Sequence, residues 1–112
     1  MTDIQTGMKC RAVLNTSSKL GGRWTFALLC ALSKQPMRFS ELRRKLSMVP
    51  GKSLTRSLER LEADGLIERK VHPTRPPHVT YSLSRPDPLL RELLDAAIRW
   101  GEKNNRPRMT DT

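Results

Sequence analysis

The sequence predicts a mainly α domain carrying a small β-hairpin, an α+β fold built as one unit. Four observations lead there. Leu54, Leu58 and Leu61 recur at i, i+4 and i+7, one apolar stripe of a helix. Asp64-Gly65 closes that helix, because glycine accepts the left-handed conformation at a helix end. Directly after the stop, Leu66, Glu68 and Lys70 alternate with Ile67, Arg69 and Val71, the two-residue period of a strand. Finally, a chain of 112 residues with 37% apolar content has the length of one domain and supports one small core.

The other elements follow in order. Residues about 8 to 20 form a helix with Val13, Leu14, Ser17 and Leu20 on one side, and Gly21-Gly22 breaks it. The segment RWTFALLCALSK, 23–34, is richly apolar and helical in length, so it runs through the core. Gln35-Pro36 ends it, since the residue before a proline is biased away from helix. MRF, 37–39, is long enough only for a brief paired strand, and Ser40 is the expected N-cap of the helix ELRRKL. Pro50-Gly51 separates that helix from the one at about 50–64. Strands 66–71 and 78–84 flank HPTRPP, a proline-stiffened hairpin tip. Asp87 caps a last helix that opens on Pro88 and runs to 103. The domain is thus 8–103, with 1–7 and 104–112 as flexible tails.

Helix, helix, short strand, helix, helix, hairpin, helix is the order of a winged helix-turn-helix. In that reading 40–47 and about 50–64 are the helix-turn-helix and 66–84 is the wing. Such a fold lays its second helix in the major groove of DNA and its wing along the adjacent backbone. The charge agrees. The formal net charge is +10, and it is local: residues 1–75 hold 15 basic and 6 acidic groups, residues 76–112 hold 6 and 5. A polyanion is attracted to the first two thirds of the chain.

Basic residues on a helix face are commonly plain solvated surface, so the set matters more than any one member. Lys52, Ser53, Thr55, Arg56 and Arg60 lie on or beside the outer face of the recognition helix and are the candidate DNA-contacting group. Lys52 and Arg56 suit guanine O6 and N7, and Ser53 and Thr55 suit phosphates. Glu59 shares the face, either discouraging nonspecific contact or accepting from a cytosine amine. Arg75 stands at the wing apex; RPP is a rigid turn there, or the arginine enters a narrow minor groove. Arg38, Ser40, Arg43 and Arg44 surround the start and outer side of the preceding helix, a backbone-positioning group. His72 and His78 flank the tip without a third ligand at suitable spacing, so they pack or hydrogen-bond within the hairpin and no metal is expected. Cys30, in the most apolar helix, reads as a core residue. Cys10, between Lys9 and Arg11, is the candidate redox residue.

The last helix carries Leu89, Leu90, Leu93, Leu94, Ala97, Ile98 and Trp100, a stripe wider than a small core covers. A two-fold dimer satisfies it, since each subunit offers the same patch to the other. The expected interface is Val13, Leu14, Leu20, Leu90, Leu93, Leu94, Ala97 and Trp100. No apolar run approaches the roughly 20 residues of a membrane span, and MTDIQTGMKC lacks a signal-peptide core. The expected setting is therefore the cytosol, with both cysteines reduced. No catalytic combination or phosphate loop stands out, so neither an enzyme nor a cofactor is expected. A winged helix used for protein docking or RNA binding is the alternative, because folds do not fix functions.

LGGRWTFALLCAL, MRFSELRRKL, KSLTRSLERLEADGLIERKVHP, PPHVTYSLS and LLDAAIRWGE together resemble the successive signature blocks of the HxlR family of bacterial winged-helix transcriptional regulators, over about residues 20 to 103. The resemblance implies a homodimeric DNA-binding repressor or activator acting on a palindromic operator, with the terminal helices forming the dimer. It also leaves room for a small-molecule or redox effector. The chain departs from the pattern by placing Pro50 where the recognition helix usually opens on a serine, and by setting Cys10 about one residue out of register.

Overall fold

The computed structural model describes residues 3–84 and 87–105; residues 1–2 and 106–112 of the predicted tails lie outside it. Its elements are α1 (Asp3–Leu20), α2 (Thr25–Leu32), β1 (Met37–Arg38), α3 (Phe39–Lys45), α4 (Gly51–Ala63), β2 (Ile67–His72), β3 (His78–Leu83) and α5 (Pro88–Lys103). Every expected element is present. The first helix starts at Asp3, several residues before the expected position.

Glycine and proline explain most of the boundaries. Gly22 and Gly65 take φ of 107° and 77°, the left-handed region that side chains avoid, and they turn the chain after α1 and α4. Asp87 accepts a hydrogen bond from the Leu90 amide at 3.1 Å, with Pro88 opening α5 as expected. The expected Ser40 cap is corrected: α3 begins at Phe39, and Ser40 lies inside its first turn. Instead, Glu41 Oε1 accepts from the Arg38 amide at 2.8 Å, so the reciprocal half of a capping arrangement anchors this helix.

β1 is short but consequential. The antiparallel sheet has the order β1-β3-β2, with Met37 opposite Tyr81 and Arg38 opposite Thr80. The start of the helix-turn-helix is thereby bonded to the wing. Across β2 and β3 the register runs from Ile67 opposite Leu83 to His72 opposite His78.

Leu28, Leu29, Leu42, Leu54, Leu61, Ile67 and Leu94 are fully buried and draw α2, α3, α4, the wing base and α5 into one core. Cys30 packs against that core but is only half-buried, a correction to its expected interior position. Burial, and then Asp95, pushes its thiol pKa up, against the pull of Lys34.

α1 behaves differently. Leu20 is buried, yet every residue from Gly7 to Ser18 is exposed, so the helix leaves the body within about one turn of its end. The radius of gyration of 16.4 Å reflects this, since a compact chain of this length gives about 13 Å.

Candidate nucleic-acid interface

α4 divides cleanly. Leu54, Leu58 and Leu61 are buried on one face, while Lys52, Thr55, Arg56 and Glu59, at i, i+3, i+4 and i+7, form the exposed face opposite. Ser53 is half-buried on the flank. Thr55 Oγ1 donates back to the Gly51 carbonyl at 3.1 Å, which holds its methyl and hydroxyl against the helix. Pro50 precedes α4 and supplies no side-chain cap, leaving first-turn amides for an outside acceptor such as a phosphate.

Between α3 and α4 lies an open groove of about 730 Å³ lined by Phe39, Arg43, Gly51, Lys52, Thr55 and Arg56. Arg43 spans it: a β-carbon placed on Gly51 would collide with the Arg43 guanidinium. Arg38, Ser40 and Arg44 are exposed around α3, and Lys45 in its last turn adds a cation that sequence reasoning left out. Phe39 was missed too, as the apolar third residue of a strand that ends one residue earlier. Arg75 is exposed at the wing apex, where the Arg75-Pro76 bond is cis.

Arg60 is not with the others. It sits about a quarter turn away from the Lys52–Arg56 face, and its guanidinium turns toward the α1–α2 turn. There Nη2 donates to the Gly21 carbonyl at 2.5 Å and to Thr25 Oγ1 at 2.7 Å. Its placement on the outward face is corrected accordingly.

At the wing, His72 and His78 stack with ring centroids 4.4 Å apart and planes 8° from parallel. His72 Nε2 lies 2.9 Å from Thr80 Oγ1, and His78 Nδ1 2.9 Å from Thr74 Oγ1. The Thr74 hydroxyl donates to the Pro76 carbonyl at 2.8 Å, so it accepts from Nδ1–H. The histidines thus pack and bond within the hairpin, as expected. Desolvation, then Arg38 and His72, pulls the His78 pKa below its ordinary value. Among the described residues no group of three or more His, Cys, Asp or Glu side chains is placed to hold a metal.

The expected dimer surface splits in two. Val13 and Leu14 on α1 are 64% and 66% exposed, and Trp100 on α5 is 70% exposed. Leu93 is 39% exposed, and Ala97 is half-buried. Leu20 and Leu94, by contrast, are 6% and 1% exposed and belong to the monomer core, and Leu90 is packed against it. Those three are removed from the exposed patch. Leu89 and Met8, at 76% and 63% exposure, join it. Leu89, Leu93 and Trp100 recur at i, i+4 and i+11, a second stripe beside the inward Leu90–Leu94 stripe. A groove of about 270 Å³ between α1 and α5 is bordered by Lys19, Leu20, Leu89, Leu90 and Leu93. Cys10 is exposed on α1, beside Lys9, Val13 and Leu14. No helix among the described residues is long and apolar enough to cross a membrane.

Comparison with known proteins agrees with this architecture. The HxlR-like helix-turn-helix family model matches residues 19–109. An HTH-type transcriptional regulator of Halalkalibacterium halodurans is 41% identical over 90 residues, 80% of each chain. The HTH-type transcriptional regulator YtcD of Bacillus subtilis is 41% identical over 86 residues, 77% of this chain and 68% of its own. A solved structure of a regulator ytcD superposes with a TM-score of 0.75 at 39% identity, over 84% of this chain and 97% of the other. The redox regulator HypR in its oxidised form superposes with a TM-score of 0.78 at 34% identity, over 87% of this chain and 99% of the other.

Proposed function

Because the chain belongs to the HxlR-like helix-turn-helix family of transcriptional regulators rather than to a family of enzymes, we propose that it binds double-stranded DNA as a homodimer and represses or activates transcription from a palindromic operator. Residues 8–103 are the DNA-binding unit. The recognition helix, about 50–64, enters the major groove, and the wing, 66–84, follows the adjacent minor groove or backbone. The observation that carries this reading is the face of Lys52, Thr55, Arg56 and Glu59, set opposite three buried leucines and beside the Arg43 groove.

The roles divide by reach. Arg56 and Lys52, the long cationic side chains on the exposed face of α4, read base edges, with guanine O6 and N7 the matching acceptors. Arg38, Ser40, Arg43, Arg44 and Ser53 hold phosphates, and so does Thr55 once its hydroxyl turns from the Gly51 carbonyl, fixing register without reading sequence. Arg75 reaches the minor groove, whose negative potential favours a guanidinium. The exposed stripes of α1 and α5 cover each other across a two-fold axis, which sets two recognition helices for half-sites about 34–36 Å apart or a multiple of that. HypR is a redox regulator, and exposed Cys10 on the dimer helix is the residue through which an oxidant reaches this chain.

Binding to duplexes selected by the protein from a randomised pool tests the reading. A palindrome should emerge and bind at least about a thousandfold tighter than random duplex at physiological salt. Binding that is sequence-blind and steeply salt-dependent would instead mark a docking or RNA-binding module.

A further inference from the structure

We infer that Arg60 is a positioning residue: its guanidinium clamps the recognition helix to the turn between α1 and α2, so that the clamp, and not a contact with DNA, sets the distance and pitch between the two recognition helices of a dimer. The inference rests on the DNA-binding dimer proposed above.

Three features of the turn are explained together. The Gly21 carbonyl follows the last residue of α1, so it lies at the negative end of that helix, where a cation is favoured. It accepts from Arg60 Nη2 and also from Thr25 Oγ1, at 2.7 Å. The Thr25 hydroxyl spends its one proton on Gly21 and receives Arg60 Nη2 on a lone pair, so all three groups are satisfied. Thr25 is only 1% exposed, a buried hydroxyl at the first position of α2. Gly22 completes the seat, because a β-carbon there would stand 2.9 Å from Thr25 Oγ1 and 3.0 Å from Arg60 Nη2. The left-handed φ requires glycine at that position, and any side chain there would also push the Thr25 hydroxyl and the guanidinium off their seats.

The location gives the clamp its consequence. α1 leaves the body near this turn, with every residue from Gly7 to Ser18 exposed. A dimer formed through α1 therefore transmits its geometry to the body through Leu20 and the Gly21–Gly22 turn. Arg60 lies near the C-terminal end of α4 and reaches that turn directly. A small change of angle there is carried to the DNA-facing end of α4 in both subunits.

The test uses the full chain and the palindrome it selects from a randomised duplex pool, together with versions in which the half-sites are moved closer or apart by one base pair. Variants are Arg60→Gln, Thr25→Val and the double substitution. Positioning predicts that each single variant binds the selected palindrome about tenfold more weakly, the scale of a hydrogen bond to a charged group, and that the double variant is no worse. It also predicts that the preference for the original spacing flattens, while random-duplex affinity and dimerisation stay near wild type. If Arg60→Gln lowers the salt dependence by about one phosphate contact and Thr25→Val has no effect, Arg60 is a DNA ligand and the inference fails. If both variants lose affinity with the spacing preference intact, the cluster only supports the fold and the inference fails equally. A wild-type protein that selects no palindrome would refute the functional reading itself, and the clamp's role with it.

Discussion

Leu93 and Leu94 are adjacent in α5 but have different fates, and replacing each by alanine separates the core from the dimer surface. Leu94 is 1% exposed and belongs to the core, where α5 packs on α2. Removing a leucine so enclosed costs about 2–5 kcal/mol of monomer stability, the lost transfer energy plus the cavity. In a domain of this size each kcal/mol moves Tm by about 4–8 °C, so Leu94→Ala should lower it by roughly 10 °C or more. Leu93 is 39% exposed, so most of its burial in the monomer survives. Its exposed share, taken from the 1.5–3 kcal/mol of a fully buried leucine, is worth about 1 kcal/mol to each protomer of a dimer, and a two-fold interface counts it twice. Leu93→Ala should therefore weaken dimerisation about tenfold or a little more while moving the monomer Tm little, and Leu93→Asp should dissociate the dimer outright. Sedimentation across protomer concentrations measures the first effect. Melting curves at matched association states measure the second, because a dimer's Tm depends on concentration. A Leu93→Asp protein that sediments as the wild type does, or a Leu94→Ala protein that melts with it, would show that the two faces have been assigned the wrong way round.

Other outcomes follow from the same geometry. Arg56→Ala should cost about 1–3 kcal/mol on the selected palindrome with little change on random duplex, whereas Arg43→Ala, beside the start of α4, should weaken both alike in a filter or fluorescence titration; equal losses for Arg56 on the two duplexes would remove it from base reading. Diamide or an electrophilic quinone should alter palindrome affinity in the wild type and in Cys30→Ser but not in Cys10→Ser, since Cys10 is exposed and burial holds the Cys30 thiol in its unreactive form. The His78 pKa is depressed in the folded wing, so its contribution to stability is present above the ordinary histidine range and is lost as pH falls through it. Amide exchange at the wing tip, corrected for intrinsic rates, should accelerate from pH 7.5 to 5.5, and an unchanged protection pattern would contradict the role given to the stacked pair.

Much of this fold was legible because its local signals agree with one another. The Leu54–Leu58–Leu61 stripe, the Gly65 stop, the switch of period at Ile67 and the Asp87-Pro88 cap each specify one element without help from the rest of the chain. Met37 and Arg38 form a strand only because β3 offers them an edge, which no local pattern of three residues reveals. The Ser40 cap failed for a related reason. Pairing of Met37 and Arg38 fixes where the strand ends, and the helix begins at the next residue, so sheet register overrides capping preference.

The candidate site was legible as a face but not as a set of contacts. Periodicity gives the angle of a side chain about its own helix and nothing about what lies beside that helix. Lys52 and Arg56 look into solvent at the angle the pattern gives them, whereas Arg60, about a quarter turn round, meets the Gly21 carbonyl, which is 39 residues away in sequence. The dimer surface followed the same logic. Val13 and Leu20 are seven residues apart on one stripe of α1, chemically equivalent by pattern, yet one is 64% exposed and the other 6%. What separates them is where the core of the domain, which takes in Leu20, stops, and that depends on the rest of the chain rather than on any feature of α1. An apolar stripe that continues past the end of its own core has a ready physical explanation in a second surface of the same kind. In the proposed homodimer, α1 and the outer stripe of α5 are two parts of one interface, and the inferred Arg60 clamp is what carries its geometry to the recognition helix.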